Sequence, residues 1–287
     1  MECIKQGASD CVLKDHLAQL PASVRRALEE KRLRDQRRNC EKELAGKVAE
    51  LARSNAELEQ FAYVASHDLQ EPLRMIANYT QLLAERYRGK LDEKAEKYIG
   101  YSVDGALRMQ ALIHDLLKFS RVGNAEIQPR TTDCRAVVEQ AVRNLQAAVE
   151  ESGAVVNCNC LPVVMADPSQ LTQVFQNLIA NAIKFHGSEK PVIQIDAEHK
   201  DYEWELAVSD NGIGIPAESW RDIFVIFRRL HTRAEYAGTG IGLAICKKII
   251  ERHGGKLWIE AQTKPGSRFK FTLRAEPLSE AVRGEQA

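Results

Sequence analysis

The sequence lacks several features that define whole classes of protein. Its apolar runs are all shorter than the roughly 18 to 20 residues needed to cross a bilayer. The first 15 residues are mixed polar and have no apolar core, so they do not resemble a signal peptide. Net charge at pH 7 is zero, which gives no reason to expect nucleic acid as a partner. We therefore expect neither a membrane span nor a nucleic-acid partner.

Paired cysteines are also absent. The seven cysteines are scattered, odd in number and free of any CxxC pair. This pattern argues against a disulfide framework or a zinc site and fits a protein of the reducing cytoplasm. The cysteines are Cys3, Cys11, Cys40, Cys134, Cys158, Cys160 and Cys246.

No proline occurs between residues 25 and 60, where the chain is charged and favours helix. Apolar residues recur there at alternating spacings of four and three, which predicts a parallel two-stranded coiled coil. Asn55 at an a position would cost stability but can determine register. The alternative is one long amphipathic helix packed within a monomer. The heptad residues are Leu44, Val48, Leu51, Asn55, Leu58, Ala62, Ala65 and Leu69.

His67 lies in this helical pattern at position f, furthest from a partner helix, where a packed core histidine is not expected. Pro72 follows five residues later and predicts a kink, because proline removes a donor and clashes with the preceding turn. Apolar periodicity resumes after it, so a helix end is not expected. The helix should stop near Gly89, and a second helix over 91–119 would complete a helical hairpin, two copies of which form a four-helix bundle.

From residue 126 onwards helices alternate with short strands. Helices and mostly antiparallel strands predict a two-layer α/β sandwich. Strands are expected at 126–132, 155–160, 163–166, 192–198, 204–210, 257–261 and 269–273, and helices at 133–151, 168–185 and 240–252.

Asn177, Asn181 and Lys184 lie at helical spacing in the segment QNLIANAIKF. The two asparagines share a helix face, and amide oxygens suit Mg²⁺, which takes few protein ligands. Lys184, one turn later, can reach a phosphate. Taken alone, asparagines on a helix are more often surface or capping residues.

Two glycine-rich segments follow. Asp210 ends a strand in DNGIGI, where Gly212 and Gly214 permit close approach of a ligand and the carboxylate can accept a hydrogen bond from an adenine amino group. The second segment leads into a helix whose free N–H groups suit phosphates, and it consists of Gly238, Thr239, Gly240, Ile241 and Gly242. Each segment alone is also compatible with an ordinary turn or a flexible loop. A basic stretch that includes Arg229 lies between the two segments.

In this order and spacing, the motifs resemble those of the sensor histidine kinases of bacterial two-component systems. HDLQEP resembles the phosphoacceptor box, QNLIANAIKF the N box, DNGIGI and GTGIGLAI the glycine boxes, and IFVIF the F box. The likeness extends from about residue 50 to 275 and is strongest to the HDLQEPL group of phytochrome-like and multi-sensor kinases. The first 27 residues resemble the end of a receiver domain, and Lys14 matches the conserved lysine of that family. We therefore expect the chain to be a piece of a longer receiver-plus-kinase protein.

The resemblance implies a role for each matched residue. His67 would accept the phosphoryl group and Asp68 would act as its base. Asn177 and Asn181 would hold Mg²⁺, and Asp210 would bind adenine. Lys184, Arg229, Thr239, Gly212, Gly214, Gly238, Gly240 and Gly242 would contact or shape the ATP site.

The implied fold is α+β: a long coiled-coil helix and a helical-hairpin dimerisation domain, followed by an α/β-sandwich ATP-binding domain of the gyrase, chaperone and histidine kinase type. The implied partners are a second copy of the chain, the receiver domain of a response regulator, and an upstream receiver or sensor domain. The expected divisions are a receiver tail (1–27), a signalling helix (28–57), a dimerisation and phosphotransfer domain (58–122), an ATP-binding domain (123–276) and a tail (277–287).

Two positions depart from the family pattern. Glu71 and Gln70 stand where the family usually has a threonine or asparagine and a basic residue, which puts phosphatase activity in doubt. A degenerate kinase that serves as an ATP-binding scaffold is the first alternative. A gyrase- or chaperone-type ATPase is the second, although such enzymes place a glutamate base where Asn177 stands.

Overall fold

The computed structural model describes residues 20–124, 127–230, 235–236, 238–262 and 265–275. The chain divides by its internal contacts into two units, Met1–Gln60 and Phe61–Ala287, and each is described by itself. Most of the expected receiver-like tail and all of the expected C-terminal tail lie outside the described residues.

The first unit is described from Leu20, where helix α1 (Leu20–Arg86) begins. The heptad residues Leu44, Val48 and Leu51 are 64%, 58% and 70% exposed. Pairing with a second helix and packing within a monomer both stay predictions. No helix among the described residues is long and apolar enough to cross a membrane.

The second unit begins with the remainder of α1 and a second helix, α2 (Glu93–Asn124), as predicted for a helical hairpin. Helix α1 continues through Pro72, so the proline is not a helix end. Between the helices Gly89 has φ 70°, and its N–H donates to Glu96 Oε1 at 2.5 Å. Buried side chains on the two helices include Leu73, Ala77 and Ala106.

Helices and strands alternate in the rest of the second unit. They are β1 (Arg130–Asp133), α3 (Cys134–Asn144), α4 (Gln146–Ser152), β2 (Val155–Cys158), β3 (Val163–Ala166), α5 (Pro168–Lys184), β4 (Val192–Lys200), β5 (Glu203–Asp210), α6 (Gly242–Arg252), β6 (Leu257–Glu260) and β7 (Arg268–Arg274). Two short 3₁₀ turns, Ala217–Ser219 and Asp222–Phe224, lie between β5 and α6.

Five strands form one sheet in the order β2-β4-β5-β7-β6, in which only the β2–β4 pair is parallel. Successive side chains of a strand point to opposite faces of the sheet, and the apolar side chains of one face form one core with α3, α5 and α6. Phe175 of α5 meets Phe271 of β7 edge-on, with ring centroids 5.7 Å apart. The predicted two-layer α+β fold is therefore confirmed.

Aspartates start two of the core helices. Asp133 accepts a hydrogen bond from the Arg135 N–H at 2.8 Å, and Asp167 accepts from the Ser169 N–H at 3.0 Å, which satisfies donors that lack a partner within the helix. One prediction is wrong here. The helix expected over 133–151 is two helices, α3 and α4, separated at Leu145, where φ and ψ are −105° and 11°.

Charged residues cross the other face of the sheet. Lys270 Nζ contacts Glu205 Oε1 at 2.8 Å and Glu260 Oε1 at 2.7 Å, and Lys200 Nζ contacts Glu205 Oε2 at 2.9 Å. Burial alone would raise the pKa of Glu205, but hydrogen bonds from Lys270 and Lys200 outweigh it and hold the pKa below its ordinary value of 4.5. This network therefore stabilises the fold while Glu205 is ionised.

We expect Glu205→Gln to lower the free energy of unfolding by about 2 kcal/mol at pH 7, since a hydrogen-bonded charge is lost beside two lysines. Because the folded pKa is depressed, this contribution is present above pH 4.5 and disappears as the pH falls through the folded value. Denaturant titrations at pH 7 and at pH 3 measure the difference.

The matched control is Glu198→Gln, since Glu198 lies 3.6 Å from the same Lys200 but is 69% exposed. It should change stability by less than about 1 kcal/mol. Equal effects of the two substitutions at pH 7 would show that the Glu205 network adds nothing beyond a surface ion pair.

Candidate active site

A cavity of about 240 Å³ lies where the end of α5, the end of β5 and the start of α6 meet. The lining residues come from α2, α5, β5 and the loop after it, the segment before α6, and β7. They include Asp115, Asn181, Lys184, Phe185, Asp210, Ile213, Gly214, Ile223, Arg229, Leu230, Gly238, Thr239, Gly240, Gly242, Ser267 and Phe269. The chain thus brings together residues from its three predicted ATP-site motifs.

Asp210 forms part of the cavity wall. Its Oδ1 accepts hydrogen bonds from the Gly212 N–H at 2.8 Å and from the Ser267 N–H at 3.0 Å. Burial raises the pKa of Asp210, and these hydrogen bonds oppose that effect. The carboxylate is therefore held rigidly in a partly apolar wall, beside Ile213 and Phe269.

Two glycines make this wall possible. A Cβ at Gly212 would overlap the carbonyl oxygen of Phe185, and a Cβ at Gly266, which has φ 119°, would overlap that of Asp210. Sequence reasoning identified Gly212 but missed Gly266 and the neighbouring Ser267. The Pro265-Gly266 pair before a strand is a turn signal, but it does not reveal which backbone the turn approaches.

Two basic side chains also belong to the cavity wall. Lys184 and Arg229 both line it, and the pKa of Lys184 is lowered by burial and by the charge of Arg229. Helix α6 begins at Gly242, two residues later than predicted, and Ile241 before it offers no side-chain acceptor for the first N–H groups. Two cations and an uncapped helix N-terminus make an anion site.

The two asparagines differ in their surroundings. Asn181 lines the cavity, whereas Asn177 lies beside a neighbouring groove. Asn177 Nδ2 donates to the Gly242 carbonyl at 3.2 Å, and so ties α5 to α6. An amide oxygen at Asn181 suits a hard cation, and no cluster of three or more His, Cys, Asp or Glu side chains that could hold a metal occurs in the described part of the chain. A metal ion at this site would be bound by amide oxygens of the protein together with oxygen atoms of a bound small molecule.

The segment before α6 is described at residues 235–236 and 238–241. Arg229 donates to the Tyr236 carbonyl at 2.5 Å, and the Tyr236 ring lies 4.9 Å from that of Phe185. Thr239 Oγ1 donates to Asp115 Oδ2 on α2 at 2.6 Å. Asp115 was not identified from the sequence, because nothing in its local pattern separates it from other surface carboxylates of α2.

His67 and Asp68 lie on α1 rather than among the cavity residues. The side chain of His67 is outside the described residues, and Asp68 is exposed. The predicted roles of these two residues, and of the cavity residues, stay predictions.

Two families match the chain. Residues 57–125 match the His Kinase A (phospho-acceptor) domain. Residues 166–277 match the histidine kinase-, DNA gyrase B- and HSP90-like ATPase. The two matches cover the helical hairpin and most of the α/β sandwich.

Curated relatives include phytochromes. The chain is 52% identical over 231 residues to the phytochrome-like protein Cph1 of Synechocystis sp., a match that covers 80% of this chain and 31% of that protein. Cyanobacterial phytochrome A of Nostoc sp. is also 52% identical over 231 residues, with 80% and 30% covered. The chain therefore spans about a third of the length of these relatives.

Solved structures agree on the fold. Full-length ShkA in complex with AMPPNP has a TM-score of 0.57 and 24% identity, with 77% of this chain and 47% of that chain covered. Histidine kinase ThkA in complex with the response regulator protein TrrA has a TM-score of 0.53 and 26% identity, with 79% and 64% covered.

Proposed function

We propose that this chain, because it belongs to the sensor histidine kinase family, transfers the terminal phosphoryl group of Mg-ATP to its own His67. The observation that carries the proposal is the single cavity in which Asp210, Asn181, Lys184 and the start of α6 meet. His67 belongs to the segment 57–125 that matches the phospho-acceptor domain, which supports the proposal.

ATP would bind with its base at the Asp210 end. A carboxylate can accept the hydrogen bond of an adenine amino group, and the nearby apolar residues suit the ring. The phosphates would lie at the other end, where Lys184, Arg229 and the α6 N–H groups supply positive charge. The lining residues include both a carboxylate acceptor for the base and two cations for the phosphates, which supports this proposal.

Magnesium fits the phosphate end. When bound, the ion would be held through the amide oxygens of Asn181 and Asn177 and would neutralise charge on the phosphates. Asn177 keeps its oxygen for this role, because its Nδ2 is the atom engaged by Gly242.

Phosphoryl transfer itself requires little covalent participation by protein groups. A nitrogen of the neutral His67 imidazole forms a bond to the γ-phosphorus, the bond from that phosphorus to the bridging oxygen breaks, and ADP leaves. Asp68 would take the imidazole proton. Neighbouring helical residues do not share a face, so Asp68 requires a local bend, which Pro72 can supply. The phosphoryl group would then pass to an aspartate of a response-regulator receiver domain.

The active form would be a homodimer in the cytoplasm. Exposure of Leu44, Val48 and Leu51 in the single chain supports pairing of α1 with its copy. An upstream receiver or sensor domain would change the geometry of this helix and so regulate the kinase.

We expect Leu44→Glu with Leu51→Glu to convert the dimer into monomers, since four carboxylates would face one another in the seam. Light scattering at micromolar concentration measures the molar mass. The control is Ala49→Glu with Arg53→Glu, two exposed non-seam positions of the same helix, which should leave the dimer intact. A wild-type chain that is monomeric at this concentration would contradict the heptad interpretation.

Labelling with ATP tests the proposed function directly. With Mg²⁺, γ-labelled ATP should transfer one phosphate per chain, and the label should be lost in acid and retained in base, because phosphohistidine is acid-labile. Label from α-labelled ATP, which would indicate retained nucleotide, should be absent, and chelation of Mg²⁺ should prevent transfer.

Two results would contradict the kinase proposal. Binding of ATP without label would favour the scaffold alternative. Release of free phosphate without any labelled protein would favour a gyrase- or chaperone-type ATPase.

A further inference from the structure

A carboxylate from the helical hairpin lies in the nucleotide cavity. Asp115 of α2 lines the cavity, its Oδ2 accepts from Thr239 Oγ1 at 2.6 Å, and its Oδ1 lies 3.8 Å from Lys118 Nζ. Its side chain is 29% exposed. Asp115 is thus a partly buried anion inside a site that is expected to receive another anion.

Packing holds this part of α2 in place. Val122 belongs to the core of the α/β sandwich, and Leu116 and Phe119 pack against that core. Lys248 Nζ of α6 lies 4.3 Å from the centroid of the Phe119 ring, and Arg252 donates to the Val122 carbonyl. The position of Asp115 is therefore set by contacts on the following two turns of its helix.

Asp115 lies at the phosphate end of the cavity. Its partner Thr239 stands between two glycines of the loop before α6, and a Cβ on one of them, Gly238, would lie 2.7 Å from Lys184 Nζ. The other carboxylate among the described lining residues is Asp210, which is the proposed partner of the adenine amino group. Negative charge on Asp115 therefore faces the place where the phosphates would be.

We propose that Asp115 is a specificity-determining residue that sets how strongly the site discriminates between nucleotides by their number of phosphates. The inference rests on the proposed function. In the observed arrangement Asp115 holds Thr239 and opposes the charge of a polyphosphate, so binding of ATP requires the Asp115–Thr239 bond to open. The affinity for adenosine, which has no phosphate, does not depend on the charge of Asp115.

The same contact couples the nucleotide to the helical hairpin. If bound ATP disfavours the packed position of α2, then packing of α2 lowers the affinity for ATP by the same factor, because coupling between two equilibria is reciprocal. A signal that moves the hairpin would thereby change the affinity for ATP without touching the adenine end of the site.

The test compares Asp115→Asn with wild type for three ligands: adenosine, ADP and the β,γ-imido analogue of ATP. Asparagine keeps the shape and an acceptor for Thr239 and removes only the charge. Affinity for the ATP analogue should rise about tenfold, a small part of the repulsion between like charges at close range. The rise for ADP should be smaller, and affinity for adenosine should stay the same. Calorimetry on the full chain measures all three.

The control is Asp104→Asn, which removes the same charge from an exposed residue three turns earlier on α2, about 16 Å away. It should change none of the affinities. Thr239→Val is a second variant that removes the hydrogen bond and leaves the charge. It should raise affinity for the ATP analogue less than Asp115→Asn does.

Three outcomes would overturn the inference: equal affinities of Asp115→Asn and wild type, an equal rise for all three ligands, or weaker Mg²⁺-dependent binding, which would make Asp115 a metal ligand. These results differ from failure of the proposed function, in which the wild-type chain would bind the ATP analogue no better than it binds adenosine and would acquire no label.

Discussion

His67→Ala is expected to abolish phosphorylation of the chain by Mg-ATP while leaving ATP binding unchanged. The substitution removes the nitrogen to which the phosphoryl group would be transferred, and His67, on α1, is not among the described residues that line the cavity. Loss of label should be complete, because alanine offers no nucleophile. Acid-labile label per chain and the dissociation constant of an ATP analogue are the two measurements.

The chain supplies a matched control for this experiment. His114 is exposed on α2 and, like His67, is followed by aspartate and leucine. His114→Ala should retain the label of the wild type. Persistent acid-labile label in His67→Ala, or its loss in His114→Ala alone, would reassign the phosphoacceptor.

Asp210→Asn is expected to weaken ATP binding about ten- to hundredfold, since a hydrogen bond to a charged group contributes roughly 1.5 to 3 kcal/mol. The carboxylate accepts two backbone N–H bonds on one oxygen, and its remaining acceptor capacity would serve the adenine amino group. An amide at this position presents N–H groups to other N–H groups. Calorimetric titration with the ATP analogue measures the loss.

A purely structural role of Asp210 can be separated from base recognition by inosine triphosphate, in which a carbonyl replaces the amino group. The wild type should prefer ATP over inosine triphosphate by at least about tenfold, and Asp210→Asn should lose most of that preference. Asp201→Asn, in the exposed β4–β5 turn where φ is 51°, is the control. If the ratio of the two affinities stays the same in Asp210→Asn, Asp210 shapes the turn and does not read the base.

The sequence alone predicts the long helix, the hairpin, the α+β class and, apart from the break between α3 and α4, the order of strands and helices, because each depends on local patterns. Heptad spacing predicts α1, and Asp167 followed by Pro168 marks the start of α5. The motifs also indicate which residues to look for in the site. Asp210 at the end of β5 and Lys184 at the end of α5 lie in one cavity, and their roles stay predictions.

Other features depend on residues that are distant in the sequence. The need for glycine at position 266 arises from the approach of the Asp210 backbone, and the orientation of Asn177 arises from the Gly242 carbonyl on another helix. Asp115 enters the cavity because core packing positions α2 against α6, more than a hundred residues further along the chain. Local sequence determines where helices and strands form and which of their faces is apolar. Only the packing of those faces decides which polar side chains meet, and it brings Asp115 of α2 to Thr239 of the loop before α6.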